Sequence, residues 1–156
     1  MDNAYTINIS TDDFNAGLLH QSLHNENLGA IVTFTGTVRD LIADDGLPEN
    51  TQALIIEHYP AMCQKILANL CEQALKRWDI GEIIITHRVG TLERGEQIVF
   101  VGVSSKHRKE AFFACDFLMD FLKTKAPFWK KETQNNQTFW VDAKDSDQQQ
   151  LEKWET

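Results

Sequence analysis

At 156 residues, with 42% hydrophobic and 24% charged residues and a formal net charge of -8, the chain has the make-up of one globular domain with a real core. No run approaches the roughly 20 apolar residues that span a bilayer, and the start, "MDNAYTINIS", has neither a basic n-region nor an apolar h-region, so no signal peptide and no membrane association are expected. Cys63, Cys71 and Cys115, an odd set without a Cys-x-x-Cys pair, argue against a disulfide framework or zinc site, and the expected compartment is the cytosol.

In chain order, "TDDFNAGLLHQSLHN" from Thr11 predicts a short helix capped by Thr11 or Asp12. "GAIVTFTGTVRD" from Gly29 is rich in β-branched residues and predicts a strand, with Gly36 marking a bulge or a close backbone approach. "LIADDGLPEN" from Leu41 reads as an acidic loop, and "TQALIIEHY" from Thr51 as a second strand. "PAMCQKILANLCEQALKRW" is the clearest helix: Pro60 suits its first turn, and Met62, Cys63, Ile66, Leu67, Leu70, Ala74 and Trp78 recur at helical spacing. "GEIIITHRVG" from Gly81 and "IVFVGVSS" from Ile98 form an antiparallel pair around the turn "TLERGEQ".

"SKHRKEAFFACDFLMDFLKTKAP" then predicts a long helix, capped by Ser105 and stopped by Pro127, with Ala111, Cys115, Leu118, Met119 and Leu122 as its apolar stripe. "FWKKETQNNQTFWVDA" reads as a hairpin around Asn135 and Asn136, and the tail from Asp145 as a frayed helix. Strands and helices mix without a strict βαβα rhythm, which predicts an α+β domain with a mostly antiparallel sheet and two packed helices.

Charge is unevenly spread. Residues 1–60 carry -8, with Arg39 their sole base, whereas residues 106–131 carry +4. Within that basic stretch, "FLKTKAPFWKKE" places Lys123, Lys125, Lys130 and Lys131 around two aromatics. Lysines at a helix end can merely complement the macrodipole. Basic residues beside aromatics can also grip a nucleic-acid strand, but the patch is small and the rest of the chain acidic, so no nucleic-acid partner is expected. The third reading is a small-anion pocket, in which a lysine against an apolar wall has a lowered pKa and serves as acid, base or nucleophile.

His107 and Arg108 fall in the first turns of the long helix, where open N–H groups attract anions and Arg108 could clamp a phosphate. Cations there oppose the helix dipole, so either solvent or a bound anion must compensate them. Arg39 closes a strand. His58, His87 and Arg88 read as structural, His20 and His24 as too few for a metal site, and the cysteines as core.

"GAIVTFTGTVRD", "LIIEHYPAM", "HRVGTLERGEQIVFVGVSSKHR" and "FLMDFLKTKAPFWKKE" together resemble the large, catalytic subunit of molybdopterin synthase, in order from about Gly29 to Trp154. The resemblance implies an α/β hammerhead with an added small antiparallel β-sheet. It implies a homodimer that binds two small ubiquitin-like sulfur-carrier subunits, making a heterotetramer. The implied reaction moves sulfur from the carriers' C-terminal thiocarboxylates to cyclic pyranopterin monophosphate (precursor Z), forming the dithiolene of molybdopterin, with no cofactor or metal of the subunit's own. Lys123 and Lys130 match the family's essential lysines. Thr37, Val38, Arg39, His107, Arg108, Lys123, Lys130, Lys131 and Glu132 match its substrate-binding positions. Lys123 would act in acid/base chemistry or contact the acyl carbonyl, and Lys130 would hold the tail or stabilise developing negative charge. A non-catalytic scaffold for a ubiquitin-like partner and a phosphate-ligand sensor are the alternatives.

One geometric expectation follows. His107 and Lys123 lie 16 residues apart on one predicted helix, about 24 Å at 1.5 Å per residue. A small substrate cannot bridge that span, so each site is expected to draw Arg39, Lys123 and Lys130 from one chain and His107 and Arg108 from another.

Overall fold

A computed structural model describes residues 4–39, 51–126, 128–134, 137–141 and 152–154. The chain runs β1 (Tyr5–Ser10), α1 (Ala16–Ser22), β2 (Ala30–Thr37), β3 (Thr51–His58), α2 (Pro60–Arg77), β4 (Ile80–Arg88), β5 (Gly90–Leu92), β6 (Gln97–Ser105), α3 (Arg108–Thr124), β7 (Phe128–Gln134) and β8 (Gln137–Val141). Two four-stranded sheets result, ordered β1-β4-β6-β2 and β5-β3-β7-β8. This is the expected α+β architecture with a second, wholly antiparallel sheet.

The first sheet is antiparallel except where β1 runs parallel to β4. Its two faces are buried differently because β residues alternate sides. Ile83, Ile85, Val101 and Val103 face α2 and α3, whose Leu67, Leu70, Ala114, Phe117 and Leu118 complete the main core. Ile84 and Phe100 face the other way, against Leu23 after α1. Gly102 makes room there: a Cβ on it would lie 2.5 Å from Leu23 Cδ1 and 2.9 Å from the Phe100 ring. A third cluster, Val38, Leu54, Ile56, Val89 and Leu92, fills the space under the second sheet.

Several expectations need correction. Asn15, not Thr11 or Asp12, caps α1, its side chain accepting from the Leu18 N–H at 3.1 Å. His107, not Ser105, is the N-cap of α3; Ser105 ends β6, and its hydroxyl accepts the His107 N–H at 3.3 Å. Met62 is exposed: the buried stripe of α2 runs through Cys63, Leu67, Leu70, Cys71 and Ala74 and leaves Met62 outside it. Phe117 joins the buried stripe of α3, and Met119 is only half-buried. Strands β1 and β5 were not anticipated. The loop at 41–50, the Asn135–Asn136 turn and most of the tail lie outside the described residues. Trp154 of that tail packs edge-on against Trp78 and Phe117.

Candidate functional site

The basic segment folds as a helix end followed by a strand. At the end of α3 the Lys125 and Ala126 N–H groups both donate to the Phe121 carbonyl, at 2.8 and 3.1 Å. Lys123 stands exposed in the last helical turn. β7 then pairs antiparallel with β3, matching Phe128 to His58, Lys130 to Ile56, Lys131 to Ile55 and Glu132 to Leu54. Directly opposed residues share a sheet face. Lys130 therefore lies half-buried on the same face as Ile56, which is buried against Val38, Val89 and Leu92. Lys131 and Glu132 are placed by backbone register alone.

An aromatic stack sets that strand. The His87 ring, 5% exposed, lies flat on Phe128 with centroids 3.8 Å apart and planes 9° apart. His58 stacks more distantly on Phe128, at 6.3 Å. Burial pushes the His87 pKa down to about 4; the Arg88 carbonyl, 2.7 Å from Nδ1, opposes this, and the fields of Lys130 and His58 add to it. His87 is thus neutral at pH 7. Since a carbonyl only accepts, its proton sits on Nδ1. The expected structural role of His87 holds, but its place against the lysine-bearing strand was not foreseen: the stack joins residues far apart in sequence, and no local pattern announces it.

Arg88 is structural as expected. Buried, it donates to the Gln97 carbonyl at 3.1 Å and the Thr11 carbonyl at 3.3 Å, with Glu96 at 3.6 Å and Asp13 at 3.9 Å. Hydrogen bonds from the Gln97 side chain and the Phe14 N–H, with a smaller Arg88 contribution, hold the Asp13 carboxyl below its ordinary pKa. This network adjoins the turn from Glu93 to Glu96, which pairs with Val38, the residue before Arg39. The Val38 N–H donates to the Glu96 carbonyl at 2.9 Å, and the Gly95 N–H donates back to Val38 at 2.8 Å. Gly95, at φ +82°, supplies the left-handed residue that the turn needs. Gly36 marks the expected bulge: the register shifts between Gly36 and Thr37, and a Cβ at Gly36 would lie 2.9 Å from the Val99 side chain, at Cγ1. Thr37 and Arg39 are exposed on either side of buried Val38.

So the fold gathers Thr37, Val38 and Arg39 with Lys130 around one core cluster. Lys123 stands just before the connection into β7. His107 and Arg108, both exposed, stand at the opposite end of α3. Glu110, in that first turn, is an acid suited to the helix dipole, and it accepts from the Asp79 N–H at 3.4 Å and the Ser105 hydroxyl at 3.5 Å. An open depression of about 480 Å³ lies nearby, lined by Glu57, His58, Tyr59 and Trp129. Tyr59 and Trp129 meet edge to face across it, at 4.8 Å. His20 and His24 come edge to face at 5.6 Å, with His24 beyond the end of α1. No group of three or more potential metal ligands occurs among the described residues. No helix among them is long and apolar enough to cross a membrane.

The family model of the MoaE protein matches residues 9–125. This chain belongs to the MoaE family. The match starts earlier than the motif blocks suggest and stops before β7, so it reaches Lys123 but not Lys130. Whole-chain relatives extend further. The molybdopterin synthase catalytic subunit of Vibrio cholerae is 43% identical over 97% of this chain and 99% of its own length. That of Haemophilus influenzae is 46% identical over 95% and 97%. The solved MoaE protein from Burkholderia ambifaria superposes with a TM-score of 0.80 at 42% identity, covering 97% of this chain and 99% of its own.

Proposed function

We propose that this chain is the cytoplasmic catalytic subunit of a molybdopterin synthase, one domain that moves sulfur from the thiocarboxylate tail of a small ubiquitin-like carrier to precursor Z. The observation that carries the proposal is the placement of Lys130 on the inner face of β7, beside the His87–Phe128 stack and across from Ile56, with Lys123 ending the helix that leads into that strand.

The chemistry requires such a corner. A phosphate-bearing substrate and a negative thiocarboxylate must approach each other. A lysine ammonium about 4 Å from one of them contributes about 4 kcal/mol of attraction at the effective dielectric of a partly buried site. Lys123 acts in proton transfer at the acyl carbonyl. Lys130, steadied by its strand, holds the tail and stabilises negative charge as the thiocarboxylate sulfur bonds to a substrate carbon and water then cleaves its acyl–sulfur bond, leaving the carrier tail a carboxylate. Thr37, Val38 and Arg39 and the run Lys130, Lys131 and Glu132 bind substrate. Sulfur arrives on the carrier, so the buried cysteines are not needed, and burial raises their thiol pKa values: Cys63 to about 11, Cys71 and Cys115 to about 12.

His107 and Arg108 serve the site of a second copy, because about 24 Å of helix separates them from Lys123 in their own chain. Two copies and two carriers therefore make the working assembly. Radiolabelled sulfur on the carrier tests the proposal: label should pass to precursor Z when this chain is added. Carrier binding without transfer would make the chain a scaffold and overturn it.

A further inference from the structure

We infer that His87, which lies outside the proposed substrate contacts, is a positioning residue for Lys130: its ring, laid flat on Phe128, fastens the start of β7 to the first sheet and so fixes where the Lys130 ammonium stands. The inference deepens the proposed function and rests on it for the meaning of Lys130, though not for the geometry.

The two lysines ride on different layers. Lys123 ends α3, which packs on the first sheet through Phe117 and Leu118. Lys130 belongs to β7 of the second sheet. Between them the chain turns tightly, the Phe128 N–H donating to the Ala126 carbonyl at 2.8 Å. Pairing with β3 fixes β7 within its own sheet, Phe128 against His58 and Lys130 against Ile56. It does not fix that sheet against the first one. Contacts across the seam between the sheets must do so, and reacting groups tolerate little misplacement.

Phe128 lies at that seam. It opens β7 and packs against both the main core and the cluster under the second sheet. Ile9 and Ile98 span the same two clusters. An aliphatic contact has no preferred face, however, whereas stacked rings set both spacing and tilt. His87 meets Phe128 from the first sheet, with centroids 3.8 Å apart and planes 9° apart. β4 holds His87 from both sides, pairing it with Ile9 of β1 and Val99 of β6. β4 ends at Arg88, and the chain then crosses through Val89 into β5 of the second sheet, so the stack stands beside the crossing. The bond from Nδ1 to the Arg88 carbonyl, at 2.7 Å, locks the plane of the ring.

Strand alternation carries this placement to Lys130. Phe128 and Lys130 are two residues apart on β7 and share its inner face. The Lys130 charge acts on the His87 ring, as does that of His58 on β3. An imidazole that is neutral at pH 7 suits the place: it offers a flat face and adds no second cation beside Lys130. Leucine would keep the bulk without the flat face. Phenylalanine would keep the face and lose only the hydrogen bond.

The test compares the full chain with His87→Leu and His87→Phe, using preformed thiocarboxylated carrier in excess and precursor Z. His87→Leu should lower kcat about 10-fold to 10²-fold, the effect of displacing a reacting group by about 1 Å, and His87→Phe should stay within about threefold of wild type. The loss should act through Lys130. In a Lys130→Ala background, His87→Leu should cost less than about twofold more, because the group it positions is gone. Mere loss of stability would cut activity equally with and without Lys130. Hydrogen exchange supplies a readout that needs neither carrier nor substrate: His87→Leu should speed exchange at residues 128–131 and leave β4 and β6 protected. Phe128→Leu removes the other half of the stack from a half-buried position and should repeat both results, so it decides if His87→Leu does not fold. Equal losses with and without Lys130, a rate unchanged by either leucine variant, or protection lost evenly across β4, β6 and β7 would overturn the inference. A wild-type chain that transfers no sulfur would overturn the proposed function instead, and exchange at β7 would then decide alone whether His87 holds that strand.

Discussion

Lowering the pH, or replacing His87, probes the stack that holds β7. The buried imidazole has its pKa pushed down to about 4, against 6.5 when the chain is unfolded. Between those values the unfolded chain takes up a proton that the folded chain refuses, so stability falls as pH drops from about 6.5 to 4 and changes no further below that. The interval, at about 1.4 kcal/mol for each pH unit, amounts to about 3 kcal/mol. His87→Phe keeps a flat ring against Phe128 and removes the titration, at the cost of the hydrogen bond to the Arg88 carbonyl, about 1 kcal/mol. Urea unfolding of both proteins at pH 7.5, 6, 5 and 4, at one fixed protein concentration, gives the comparison. The wild type should begin the more stable and lose about 3 kcal/mol relative to His87→Phe by pH 4. Asp13, whose lowered pKa costs stability as the carboxylate protonates, acts equally in both proteins and cancels. Parallel pH profiles would refute the buried neutral imidazole.

Other expectations follow from packing and from the shared site. Leu118→Ala empties a fully buried position between α3 and the first sheet and should cost 2–5 kcal/mol by urea unfolding. Gly102→Ala drives a methyl toward Leu23 and the Phe100 ring and should cost about 1–3 kcal/mol, with the loss reduced by Leu23→Ala in the same chain. Mixing His107→Ala with Lys123→Ala subunits should restore one working site per mixed dimer, the other carrying both lesions; no recovery in verified mixed dimers would contradict site sharing.

Much of this fold was legible because its signals are local. The stripes of α2 and α3 show their period within one helix, and "GEIIITHRVG" and "IVFVGVSS" reveal themselves by β-branched runs. β1 carried a signal too, Tyr5, Ile7 and Ile9 alternating with the period of a strand. β5, three residues long, is too short to show a period. The α1 cap was misplaced because several residues there can cap, and Asp13 spends its carboxylate on the Phe14 N–H and Gln97 instead. Pairings between distant segments, such as β1 beside β4 or His87 on Phe128, follow from tertiary packing and leave no local trace. The same holds for the site: Lys123 and Lys130 stood out as a charge anomaly, whereas the company Lys130 keeps on the inner face of β7 needed the structure.

The central claim is that Lys123 and Lys130 are the working groups of a sulfur-transferring enzyme. The most direct measurement is conversion of precursor Z to molybdopterin with preformed thiocarboxylated carrier in excess, comparing wild type with Lys123→Ala and Lys130→Ala. Wild type should form product, and each alanine variant should lose about 10²–10⁴-fold in rate with its fold intact, Lys123→Ala keeping its carrier binding and Lys130→Ala holding the carrier tail less tightly. Full product formation by Lys123→Ala would contradict the account.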